Sequence, residues 1–93
     1  MDCCVYRRTI VIAQLHFDVV SGLFVATVGD DTLTQKNPIE LAKLLVKAGL
    51  GAGDVRWSVW TLQNKFEDIM SAVIKGDATW ARMASFELFA RMA

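Results

Sequence analysis

One histidine, two cysteines and no surplus of either charge leave the sequence short of most groups that advertise a chemistry. Ten basic residues balance ten acidic ones. Proteins that grip nucleic acid draw much of their affinity from neutralising phosphates, so they carry a basic excess that is missing here. The same balance excludes a strongly acidic mimic of nucleic acid. Apolar runs are interrupted by Arg, Asp, Gln or His within a few residues, and none is long enough to span a bilayer. The opening residues Met1-Asp2-Cys3-Cys4 have neither the basic region nor the long apolar stretch of a secretory signal. The two cysteines are neighbours, and a bond between neighbours needs a strained ring. Reduced thiols and a cytoplasmic location are the expectation.

The same scarcity limits catalysis. A serine or cysteine nucleophile needs a base within reach. His16 is the single imidazole, on a strand face with Asp18 and Thr27, and no nucleophile is placed beside it. Asp18 with Asp30 and Asp31 could collect a cation, although aspartates at turns ordinarily satisfy backbone donors. No Cys/His spacing suits zinc. The glycines at 49, 51 and 53 lack the Lys-Ser/Thr pair of a phosphate loop. The expectation is a protein that is not an enzyme and holds no metal or cofactor. Tyr6-Arg7-Arg8 supplies the alternative, because a basic pair beside an aromatic can hold a phosphate and stack a base.

What the chain does have is apolar surface. Hydrophobic residues make up 54% of its 93 positions, enough for one real core and too few residues for two. Residues 5–28 are dense in Val, Ile, Phe and Thr, as strands are. With Ser21-Gly22 as a two-residue turn, Val19 pairs with Phe24, Phe17 with Ala26 and Leu15 with Val28. Val11, Ala13, Leu15, Phe17, Val19, Phe24, Ala26 and Val28 then share a dry face, with Gln14, His16, Asp18 and Thr27 opposite. Gly29-Asp30-Asp31 marks another turn and Thr32–Gln35 a short third strand. Residues 5–35 read as a β-hairpin or three-stranded meander.

Residues 37–49 read as a helix. Asn37 caps, Pro38 takes the first turn and Glu40 sits at the capping-box position. Leu41, Leu44, Leu45 and Ala48 form its buried stripe, and Gly49 stops it, with Leu50 folding back. Residues 54–75 carry apolar positions at 55, 59, 62, 66, 69 and 73, a helical stripe. Because that stripe does not break, a continuous helix is favoured over a strand at 55–60. Continuous helix would place Trp57 and Trp60 among polar residues. Gly76-Asp77 stops that helix and caps the next, over 77–92.

The last helix is apolar on two sides. Thr79, Met83, Phe86 and Ala90 make one stripe, and Ala81, Ser85, Leu88 and Met92 another. One can belong to the core; the other needs a second helix of the chain or another molecule. Aromatic residues, Met and Arg are what interfaces favour, so Trp57, Trp60, Arg82, Phe86, Phe89 and Met92 are the candidate partner-binding residues. The fold expected is α+β, an antiparallel hairpin or meander with three helices on one face. The function expected is binding of another protein, or of itself as a homodimer. Size, missing chemistry and the apolar last helix suggest a small inhibitor made by a phage or mobile element, of the anti-CRISPR kind.

Gly22-Leu23-Phe24-Val25-Ala26-Thr27 resembles the Gly-aromatic-Val-Ala-Thr strand of HicB-type antitoxins. The resemblance covers residues 9–48 at most and implies a hairpin followed by a helix. It departs where that family has Pro-Asp-Leu-Pro-Gly and this chain has Val28-Gly29-Asp30-Asp31. It would imply an antitoxin or small nucleic-acid-binding regulator, with Tyr6, Arg7 and Arg8 at the nucleic acid.

Overall fold

The computed structural model describes residues 12–92. In chain order the elements are β1 (Ala13–Asp18), β2 (Leu23–Val28), β3 (Asp31–Gln35), α1 (Pro38–Lys47), β4 (Val55–Trp57), α2 (Trp60–Lys75) and α3 (Ala78–Met92), an α+β arrangement. The sheet has four strands in the order β3-β2-β1-β4. β1 pairs with β2 and β2 with β3, both antiparallel, and β4 adds itself to β1 in parallel, which makes the sheet mixed.

That fourth strand corrects the continuous helix expected from residue 54. Val55 and Trp57 are buried with exposed Arg56 between them, the period of a strand. A 3₁₀ turn, Ala52–Asp54, leads into it, closed by the Gly51 N–H donating to Asp54 Oδ2 at 2.8 Å. At its far end the Trp57 N–H donates to Gln63 Oε1 at 3.0 Å, and Gln63 Nε2 reaches Glu67 at 3.1 Å. A side chain of α2 thus satisfies a backbone donor of the strand before it.

The hairpin register also differs from the expected one. Phe17 pairs with Phe24, Leu15 with Ala26 and Ala13 with Val28, so the loop is Val19–Gly22 rather than Ser21-Gly22 alone. Asp18 explains the longer loop. Its carboxylate accepts from the Val20 N–H and the Ser21 hydroxyl, both at 3.0 Å, and its carbonyl takes the Gly22 N–H at 2.8 Å. Gly22 closes the loop at φ 73°. A shift of two residues preserves strand parity, so the dry face keeps its members, except that Val19 leaves the sheet for solvent. Val11 lies outside the described residues.

Ala13, Leu15, Phe24, Ala26, Val55 and Trp57 share one core with Leu41, Leu45, Phe66, Ile69 and Leu88 from the three helices. Aromatic rings run through it: Phe24 meets Trp57 edge-on at 6.2 Å, and Trp57 meets Phe66 at 6.2 Å. Each such side chain, fully buried, contributes about 1.5–3 kcal/mol over an exposed one.

Asn37 caps α1 as expected, accepting from the Ile39 N–H at 2.8 Å, whereas Glu40 turns to Lys43 at 3.4 Å instead of back to the cap. Leu50 donates to the Leu45 carbonyl at 3.0 Å and is buried, so the chain folds back after Gly49. The buried stripe is Pro38, Leu41, Ala42 and Leu45; Leu44 is half-buried and Ala48 exposed. At the next junction Gly76 takes φ 78° and the Asp77 N–H reaches the Ala72 carbonyl at 2.9 Å. Asp77 Oδ1 then caps α3 through the Trp80 N–H at 2.9 Å.

Candidate functional site

On α3 the backbone period separates two sides. Ala81, Ala84, Ser85 and Leu88 are buried, which places the second of the two expected stripes in the core. The opposite side carries Thr79, Met83, Phe86 and Ala90, with Arg82 and Phe89 along one flank, all exposed. Phe86 is 69% exposed, Met83 57% and Phe89 44%, on adjoining turns of one helix. Two contacts fix how α3 sits. Glu87 accepts from Lys65 Nζ of α2 at 2.7 Å, and the Phe89 ring lies edge-on to buried Phe24 at 5.6 Å. Farther along, Lys75 lies over the Trp80 ring at 5.5 Å. Phe89 therefore links the exposed side of α3 to the sheet. Phe24 in turn meets Phe17 in a tilted contact at 4.9 Å, next to the loop where Val19 and Val20 stand in solvent.

The candidate residues divide accordingly. Arg82, Phe86 and Phe89 share the exposed side of α3, and Met83 joins them, a residue read from the sequence only as part of a stripe. Trp60 is also exposed, on the first turn of α2. Trp57 is 7% exposed and inside the core, and Met92 packs against the core half-buried, so neither belongs to this surface. Their burial follows from β4: a strand at Trp57 points that ring at Phe24 and Phe66. The loop valines were missed because the two-residue turn kept them in strands. The signal was present in the spacing of Asp18 and Gly22, a capping acid and a residue free to take positive φ.

Among the described residues, nothing comparable gathers around the polar candidates. His16 lies opposite Val25 on the exposed sheet face, and Asp18 spends both carboxylate oxygens on its own loop. That loop holds the Asp18 carboxyl below the ordinary aspartate range, chiefly through the Ser21 hydroxyl and then the Val20 N–H. Asp18 and Asp30-Asp31 stand at opposite ends of β2. Among the described residues, no three His, Cys, Asp or Glu side chains group as a metal would require. Tyr6, Arg7 and Arg8 lie outside the described residues. No described helix is long and apolar enough to cross a membrane.

One cleft of about 420 Å³ opens between the start of α1 and the α2–α3 corner. Its lining mixes Glu40 and Asp77 with Lys43 and Arg82, so it favours neither sign of ligand. Arg82 joins its rim to the exposed side of α3. The chain matches no protein-family model, and neither a curated protein nor a solved structure is similar to it at a significant level.

Proposed function

We propose that this chain is a non-enzymatic binding module that docks another protein against the outer side of α3. The reading takes all three helices to lie on the dry face of the sheet, with α3 turning Met83, Phe86 and Phe89 outward. The observation that carries it is that apolar side, exposed in the middle of a capped helix whose other side is fully used by the core. Contiguous apolar surface of this kind is uncommon on a protein that works alone. Arg82 beside two phenylalanines and a methionine is the composition found at the centre of interfaces. A small inhibitor of the anti-CRISPR kind, which acts by occupying a surface of its target, fits a chain that offers a docking face and little chemistry.

The test compares captures rather than a single one. A partner retained by the wild type is expected to be lost with Phe86→Asp and weakened at least tenfold with Met83→Ala. It should be kept with Ile74→Asp, an exposed apolar position on α2 rather than α3. Phe86→Asp should leave the unfolding midpoint nearly unchanged, whereas Leu88→Ala, fully buried on the same helix, should cost about 2–5 kcal/mol. Capture that survives Phe86→Asp would remove α3 from the interface.

A further inference from the structure

The outer edge of β3 is a second surface, separate from α3. We propose that two copies of this chain join there, β3 against β3 and antiparallel, into one continuous sheet. The direction of the backbone groups follows from the preceding turn. Val28 pairs with Asp31 across a two-residue loop, Gly29-Asp30, with Gly29 at φ 61°. Residues flanking such a loop exchange their backbone bonds, and bonded and non-bonded pairs alternate from there. Asp31, Leu33 and Gln35 therefore bond β2, while Thr32 and Thr34 aim N–H and C=O away from it. Among the described residues no strand lies beyond β3.

The two edges of the sheet are treated differently. At the β4 edge Gln63 takes the Trp57 N–H. At the β3 edge Thr32 and Thr34 are exposed, and residues 32–35 hold no charge and no proline. The β2–β3 register runs without a bulge. Bulges, proline and charge ordinarily blunt an edge, and between Asp31 and Lys36, whose charges stand at its two ends, β3 has none of them.

The sequence around β3 is complementary to itself. With a two-fold axis at Leu33, Thr32 of each copy bonds Thr34 of the other, and Leu33 meets Leu33. Asp31 meets Gln35, and Asp30 meets Lys36, once on each side of the axis. Asp30 and Lys36 are exposed and form no ion pair among the described residues. A slip of one residue would set the dry face of one copy beside the wet face of the other. A slip of two would separate Asp30 from Lys36. Zero net charge adds no overall repulsion between copies. The contact is isologous, so it closes at a dimer and leaves α3 of each copy free. It stands whether or not α3 binds a partner.

Sedimentation of the full chain over a concentration series tests it, with a species of twice 10.3 kDa expected. Thr34→Pro removes an outward N–H without touching the ladder to β2, and should give a monomer with unchanged circular dichroism. Lys36→Asp should raise the dissociation constant about tenfold, since attraction becomes repulsion at two symmetric places. Adding Asp30→Lys to it should restore the dimer. If Thr34→Pro does not fold, the charge exchange decides alone. A wild type monomeric up to roughly 1 mM overturns the proposal. So does a dimer that survives the single charge reversal and dissociates with Phe86→Asp, which would place self-association on α3.

Discussion

Asp18 shows how much one carboxylate can set locally. In the sequence it alternates with His16 and Gln14 as an ordinary wet-face residue; in the structure it ends β1 and builds the loop after it. Because those bonds favour its ionised form, its folded pKa lies below its unfolded one. Its contribution is therefore complete above the unfolded value, near about pH 4, and is lost as pH falls through the folded value. Glu87 follows the same direction, its carboxyl held down first by the hydrogen bond from Lys65 and then by that ammonium's charge. Two titrations followed by NMR check this. Ser21→Ala should raise the Asp18 pKa toward the ordinary range, since the Ser21 hydroxyl is the larger cause. Lys65→Met should do the same for Glu87. An Asp18 pKa indifferent to Ser21 would mean that the loop is not held this way in solution.

Among the elements, the junction of α2 and α3 is the most economical, two residues ending one helix and starting the next. A Cβ on Gly76 would meet no atom within 4 Å, yet its φ of 78° is one that alanine resists. Gly76→Ala should cost about 1–2 kcal/mol in chemical denaturation, from backbone conformation alone. Signals of this local kind were legible in the sequence: Asn37, Gly49, Gly76 and Asp77 all act where their types and spacing put them. What was not legible depended on distant partners. Val55, Val59 and Leu62 fit a helical period as well as Val55 and Trp57 fit a strand, and only β1, far back in the chain, decides between them. On α1, packing buries Ala42 and leaves Leu44 half-buried, a choice made by the neighbouring elements and not by the helix's own pattern. On α3 the sequence supplied two apolar sides, and packing chose Leu88 over Phe86.

At the scale of the whole molecule, the proposed surfaces occupy different elements: a sheet edge for a second copy and a helix side for another protein. The parallel strand has a further consequence, for the order of assembly. The antiparallel strands close through short turns and α2 pairs with α3 through two residues, but joining Val55 to Ala13 closes a loop of roughly forty residues. Chain entropy places that joining last, after the rate-limiting assembly of hairpin and helices, and β1 remains an unguarded rim until it happens. Val55→Ala should then speed unfolding and hardly change the refolding rate, in contrast to Phe24→Leu in the hairpin, which should slow refolding. A nascent chain would meet its greatest risk of sticking to its neighbours in the interval before those three residues arrive.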